Sequence, residues 1–258
     1  MKENCDHRVL GGFQCVDAIT KQSVVDPLNV ASSQLLLRPN RSGVYAVWDA
    51  PNLRKYTAFD PLLPWPDPAD FEITIEDPSL RYLPRRGNIK VPQPLPVSPA
   101  SPTPPFTASS SQAIAYGPQP VPLYRGPAAP VAPNWAVVRA SVVNDAKPPV
   151  RLRWAVLQVL SGATVLATGM ADLNGEALLA VPGLGLQVSS NSGGPVTEVT
   201  TSATVQAWYD PTILSQPISW VPNPDDILLH LPGSFKTATA TIQFGPGQTV
   251  NVPLTVSM

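Results

Sequence analysis

Phe71-Glu72-Ile73-Thr74-Ile75-Glu76 alternates apolar and polar side chains without a break, and Asp77-Pro78 ends the run. A period of two places one set of side chains on a buried face and the other in water, so the stretch reads as a half-buried β-strand. The same signature extends in both directions. Upstream, Val44-Tyr45-Ala46-Val47-Trp48 is β-branched and aromatic, follows the turn Pro39-Asn40-Arg41-Ser42-Gly43, and stops before Pro51. Gly12-Phe13-Gln14-Cys15-Val16, Pro27-Leu28-Asn29-Val30 and Leu35-Leu36-Leu37 are shorter candidates of the same kind. From Trp135 onward strands are expected at 136–138, 141–143, 152–159, 177–181 and 204–209. Ile227-Leu228-Leu229-His230-Leu231 reads as a further strand, with Asp225-Asp226 as the turn before it. Gly245-Pro246-Gly247, flanked by strand-like 237–244 and 249–256, predicts a hairpin.

Composition points the same way. The chain has 33 prolines and 16 glycines among 258 residues. Proline lacks the N–H that helix interiors and sheet ladders need, so long helices are disfavoured and short strands between turns are the default. Charged residues make up 14% and hydrophobic residues 43%, against roughly 25% charged in an average soluble domain. Such a weakly polar surface suits a chain packed against others. A net charge of −1 gives no electrostatic case for nucleic acid or an anionic membrane. No apolar run approaches the ~18 residues of a membrane span. Met1-Lys2-Glu3-Asn4-Cys5-Asp6-His7 lacks the apolar core of a secretory signal, which predicts cytoplasmic synthesis, with any release occurring as part of a particle.

Between residues 91 and 134 the composition changes: prolines crowd together and Arg125 is the only charge. Such a segment favours polyproline II. It carries Phe106, Tyr116, Leu123 and Tyr124 where a solvated linker would carry charges, so it is expected to lie along a protein surface. Domains are accordingly expected at 1–90 and 135–258, joined by a connector at 91–134.

The two strand-rich parts share an order of events. Matching Val16 to Val142, Gly43 to Gly175 and Pro51 to Pro182 gives offsets of 126, 132 and 131. In each part a strand runs in, a variable loop follows, and an Asx-Gly turn reverses the chain into a strand that stops at proline. Val16-Asp17-Ala18-Ile19-Thr20, Pro27-Leu28-Asn29-Val30 and Arg41-Ser42-Gly43-Val44-Tyr45-Ala46-Val47 resemble a carboxypeptidase-regulatory-like (transthyretin-like) β-sandwich. Ala171-Asp172-Leu173-Asn174-Gly175-Glu176-Ala177-Leu178-Leu179 resembles it again. The likeness covers about 9–60 and 136–185. A narrower resemblance, to structural accessories of bacterial contractile, phage-tail-like injection systems, is carried by Glu76-Asp77-Pro78-Ser79-Leu80-Arg81-Tyr82-Leu83-Pro84 ahead of the proline run. Trp135-Ala136-Val137-Val138-Arg139-Ala140 and Ile242-Gln243-Phe244-Gly245 add to it. It implies a structural role and supplies no catalytic residues.

Candidate chemistry is sparse. His7 and His230 are the only histidines and there is no Gly-x-Ser-x-Gly elbow, so no triad is assembled. Cys5, Asp6, His7 and Cys15 do not have the paired short spacing of structural zinc. Glu72 and Glu76 share one polar face, and Asp172-x-Asn174-Gly175 lacks the later acidic ligands of a calcium loop. Trp48, Trp65, Trp135, Trp154, Trp208 and Trp220 could supply a sugar-stacking platform, with Trp65 between Pro64 and Pro66 the best exposed; the ordinary place for such rings is a core or an interface. Arg81, Arg85 and Arg86 form the one basic cluster, read as a solvated or pairing face.

These residues together predict an all-β protein of two immunoglobulin- or transthyretin-like β-sandwich domains joined by an extended proline-rich connector. The expected function is non-enzymatic: a structural or adaptor component of a large bacterial assembly, with other subunits as partners and no cofactor, metal, nucleic acid or membrane insertion. Trp65, Phe106, Tyr116, Tyr124, Arg81, Arg85 and Arg86 are the candidate partner-binding residues. A carbohydrate- or surface-binding adhesion module, with a glycan as ligand, is the alternative.

Overall fold

The computed structural model describes residues 9–57, 66–92, 117–184, 200–230 and 235–258. Trp65, Phe106, Tyr116, Cys5 and His7, with most of the proline run, lie outside them. The described chain is all-β: fourteen strands, one α-helix of six residues and short 3-10 turns. No described helix is long and apolar enough to cross a membrane.

The strands are β1 (Gly11–Asp17), β2 (Asn29–Ala31), β3 (Leu36–Pro39), β4 (Val44–Asp49), β5 (Ala69–Glu76), β6 (Arg85–Val91), β7 (Gln119–Leu123) and β8 (Ala136–Asn144). After these come β9 (Val156–Ser161), β10 (Thr164–Met170), β11 (Glu176–Val181), β12 (Thr201–Tyr209), helix α1 (Pro224–Leu229), β13 (Lys236–Phe244) and β14 (Thr249–Val256). They form four sheets, ordered β3-β4-β1-β7, β2-β5-β6, β10-β9-β12-β13 and β11-β8-β14. The chain divides into two compact units. One takes Met1–Val16, Ser23–Ile75 and Gly87–Val121; the other takes Asp17–Gln22, Glu76–Arg86 and Pro122–Met258. This division differs from cuts at residues 90 and 134: Gly87–Val121 goes with the first unit, Pro122 onward with the second, and two short stretches of the early chain are built into the second unit.

In the first unit the alternation in the sequence is the alternation in burial. Phe71, Ile73 and Ile75 of β5 point inward while Glu72, Thr74 and Glu76 face water. Phe13 and Cys15 of β1 are fully buried, and the Phe13 ring stacks on Tyr45 of β4 at 5.2 Å between centroids. β7 is a strand in spite of Pro120 and Pro122. The Leu123 carbonyl accepts from the Ala18 N–H, so the odd-numbered residues of β7 face that neighbour. Both prolines then fall on the opposite side, where a missing N–H breaks no ladder.

The second unit has a main core shared by its two sheets and a smaller buried cluster of Ala129, Val137, Leu178 and Ala180. Val138, Ala140 and Val142 of β8, Leu179 of β11 and Leu254 of β14 meet Leu157 and Val159 of β9, Val205 and Ala207 of β12 and Phe244 of β13. The run read as one strand over 152–159 is broken: Trp154 has φ +65 and is 1% exposed, so the ladder begins at Val156 and the indole turns into the core. The 237–244 and 249–256 stretches are strands but do not form a hairpin. β13 pairs antiparallel with β12, and β14 pairs parallel with β8 in the other sheet. The tight turn at Gly247 (φ +72) carries the chain from one sheet to the other. The run at 227–231 is also corrected: Pro224–Leu229 is helical. Asn223 caps it by accepting from the Asp225 N–H, Pro224 opens it, and Asp225 and Asp226 sit in its first turn, which together favour a helix start.

The repeat is real at the level of its turns. Asn40 Oδ1 accepts from the Ser42 and Val44 N–H groups, both at 2.9 Å. Asp172 Oδ1 accepts from Asn174 and Glu176 at 2.7 and 2.9 Å, the same pattern at offset 132. Gly43 and Gly175 close the two turns at φ +74 and +72. A Cβ on Gly175 would lie 2.7 Å from the Val142 carbonyl oxygen, a backbone atom that cannot swing aside. Gly175→Ala is therefore expected to destabilise the chain by about 1–3 kcal/mol, measured as a drop in the urea midpoint with the slope unchanged.

Candidate interaction surface

The second unit is organised around the carboxylate of Asp17, which is 3% exposed. Its Oδ1 accepts from the Ile19 and Thr20 backbone N–H groups at 2.8 and 2.9 Å. Its Oδ2 accepts from the Tyr82 hydroxyl at 2.9 Å and from Arg125 Nε at 2.8 Å. Burial alone would raise the Asp17 pKa, but the donors of Thr20, Ile19, Tyr82 and Arg125 outweigh it and hold the carboxyl below its ordinary value of 3.8. Burial, followed by the bond to Asp17, pushes the Tyr82 phenol up to about 12. The Arg125 guanidinium also lies 5.0 Å over the Trp135 ring and donates to the Pro130 carbonyl.

A second buried carboxylate shapes the loop after β5. Asp77 Oδ1 accepts from the Ser79 N–H and hydroxyl at 2.8 and 2.7 Å. Its Oδ2 accepts from the Arg81 and Tyr82 N–H groups at 2.9 and 3.0 Å. Here too burial opposes ionisation, and the Ser79, Tyr82 and Arg81 donors prevail, leaving the carboxyl below 3.8. The Gly126 N–H bonds the Arg81 carbonyl at 2.8 Å. Gly126 lies so close that a Cβ there would be 3.0 Å from the Leu80 carbonyl oxygen. The loop is thus pinned from inside and from the side. At its tip stands Leu80, with φ +57 and 79% of its surface exposed.

The basic cluster is taken apart by the structure. Arg85 is 1% exposed and donates to the Pro122 carbonyl, the Asp225 carboxylate and Asn223 Oδ1. Arg86 donates to the Val221 carbonyl and covers the Trp220 ring at 5.0 Å. Arg81 lies 5.8 Å over the Tyr82 ring. Tyr124 is 4% exposed, and burial pushes its phenol up to about 12. Arg85 and Tyr124 are therefore interior groups, not docking residues. The pairing half of the expectation for the arginines describes Arg85, where the chain needed a cation to satisfy buried carbonyls.

The five described tryptophans offer little open face. Trp154 and Trp208 are buried. The Arg38, Arg125 and Arg86 guanidinium groups lie 4.3, 5.0 and 5.0 Å over Trp48, Trp135 and Trp220. His230 is exposed at the end of α1, with Nδ1 2.6 Å from the Asp226 carbonyl. Among the described residues no three His, Cys, Asp or Glu side chains gather as a metal site. A cleft of about 430 Å³ runs beside β10 and β11, walled by Ile19, Tyr124, Val165, Ala180 and Leu228, with Lys21 as its one charge. Its lining suits an apolar segment and holds no acid-base pair.

Sequence reasoning passed over Asp17, Asp77, Leu80 and Arg125. Asp17-Ala18-Ile19-Thr20 and Asp77-Pro78-Ser79 are legible as Asx turns, but which distant donors complete them is a tertiary fact. No family model, curated protein or solved structure matches this chain, so the two resemblances rest on the quoted residues alone.

Both depressed carboxylates contribute stability that is present above the unfolded value and is lost as pH falls through the folded one. Acid unfolding should therefore set in below about pH 4, where these groups must protonate. Asp17→Asn should cost roughly 1–3 kcal/mol at neutral pH by leaving Arg125 and Tyr82 without their shared acceptor. It should also flatten the stability-against-pH curve in that acid window, as read from urea melts at a series of pH values.

Proposed function

We propose that this chain is a non-enzymatic structural or adaptor subunit of a large bacterial protein assembly, of the phage-tail-like contractile kind. In this reading it is built from two immunoglobulin- or transthyretin-like β-sandwich domains with a proline-rich connector. Leu80 carries the reading. A bulky side chain in the left-handed region costs about 1–2 kcal/mol relative to glycine or asparagine. In the free chain that cost gains no burial, since the side chain stands in water. The surrounding loop is held by a buried carboxylate and by the close approach of Gly126, so docking it would lose little conformational freedom. Strain, exposure and rigidity together describe an apolar anchor presented to a partner.

The buried carboxylates support a structural role in another way: Asp17 and Asp77 hold their oxygens against loop N–H groups and two distant side chains. A group used so completely by its own chain is not positioned for acid-base work. The charged fraction of 14% fits a surface that meets other proteins more than water.

The reading is tested by the native mass of the protein extracted gently from its own host. It should sediment with a megadalton-scale particle; sedimentation as a monomer of 27.5 kDa would overturn it. Leu80→Asn should leave the chain as stable or up to about 1 kcal/mol more stable, while lowering co-sedimentation with the particle at least about tenfold. A variant that sediments like the wild type would remove Leu80 as the anchor.

A further inference from the structure

An open sheet edge is a row of backbone donors and acceptors that takes on another strand unless something prevents it. Among the described residues the second unit has four such edges: β10, β13, β11 and β14. Three of them carry an obstacle. β10 is bulged, its register slipping between Val165 and Ala167. β11 is six residues long, opens on Glu176 and is followed by Pro182. On β14 the Gln248 carbonyl accepts from the Val137 N–H, so even-numbered residues face β8 and odd-numbered ones face outward. The N–H that Pro253 lacks is therefore missing from the open edge itself.

β13 carries no such obstacle. Its nine residues pair with β12 in unbroken register from Lys236 to Phe244. After Lys236 there is no charge and no proline before the strand ends. A regular, neutral, proline-free edge of this length is the kind that proteins either block or use.

We infer that β13 pairs antiparallel with β13 of a second copy of this chain, about a two-fold axis at Ala240. The side-chain pattern is its own complement in that register. Thr239 falls opposite Thr241 of the other copy and Thr237 opposite its Gln243, all on the exposed face, where neutral hydroxyl and amide pairs stabilise a ladder. On the other face Ala238 meets Ile242. The single charge decides the direction. Antiparallel pairing sets each Lys236 opposite Phe244, with the two ammonium groups a strand length of about 27 Å apart. Parallel pairing would set them side by side. The contact is isologous and closes on itself, giving a dimer and not a filament. It does not depend on the role of Leu80, which lies on a different loop.

The test is sedimentation equilibrium of the full chain over a wide concentration range. The wild type is expected to pass from one to two chains as concentration rises. Thr239→Lys with Thr241→Lys places like charges directly across the axis, on side chains exposed in the single chain, and should weaken dimerisation at least about tenfold. Thr239→Glu with Thr241→Lys places opposite charges across the same axis and should restore it. The pair Thr237→Lys with Gln243→Glu should also associate, and serves if the first variants fold poorly. A wild type that stays monomeric throughout overturns the inference. So does a dimer that ignores the double lysine, or one that the double lysine breaks and the Glu/Lys pair leaves broken.

Discussion

One carboxylate, that of Asp17, decides which parts of this chain belong together. Its partners Tyr82 and Arg125 lie 65 and 108 residues further along the chain, and each comes from a different stretch of the second unit. The two bonds on Oδ2 therefore fix the mutual position of three segments that the sequence scatters. The two on Oδ1 fix the local turn that carries the acid. A buried ion pair of this kind adds little net stability compared with apolar packing, but it penalises heavily any arrangement that leaves one member without the other. In a chain where 14% of residues are charged, charges used this way act mainly as specifiers. Arg85 repeats the logic with the opposite sign. Its guanidinium is fully buried and meets the Pro122 carbonyl and two acceptors at the start of α1.

What could be read from the sequence followed from local physics. β4, β5 and β12 announce themselves by alternation. The Asn40 and Asp172 turns do so through an Asx residue three places before a glycine at positive φ. The helix α1 was legible too: Asn223-Pro224-Asp225-Asp226 is a helix start, but the short apolar run after it fits a strand equally well, and periodicity over five residues cannot choose. β7 was hidden because proline at two of its five positions argues against a strand, until the edge that those prolines face is known. β6 was hidden because Arg85 and Arg86 read as surface charge. The hairpin expected around Gly245-Pro246-Gly247 failed for a reason no local signal carries: both strands bury alternate residues in the same core, but from opposite sheets. Of the candidate site, Leu80 was quoted and its neighbour Arg81 weighed, yet the strain at Leu80 appears only with the backbone angle.

The two repeated turns show how much of an internal repeat the fold retains. At 40–43 the turn joins β3 to β4, neighbours in one sheet; at 172–175 it joins β10 to β11, which belong to different sheets. The hydrogen bonds are the same in both, down to the N–H of the Asx residue bonding the carbonyl four residues on at 2.8 Å. A turn of this kind constrains only the four or five residues that make it. What the flanking strands do is decided by which apolar face must be covered. Conservation of the turn with divergence of the strands is what that hierarchy of constraints produces.

Leu80 and the β13 edge pose the same physical question, because each presents to water groups that another chain could cover. A rotamer-rich leucine held in the left-handed region exposes apolar surface, and an eight-residue neutral edge exposes backbone groups that water satisfies and a strand would satisfy as well. Neither feature comes from neglect elsewhere in the molecule. The other edges of the same unit are bulged, shortened or stripped of an N–H, and the loop bearing Leu80 is braced by four hydrogen bonds to Asp77. The obstacles at three edges and the bracing under Leu80 are what support the proposal that Leu80 and the β13 edge are contacts with other chains. That contrast, within one unit, is the physical ground for reading this chain as a subunit.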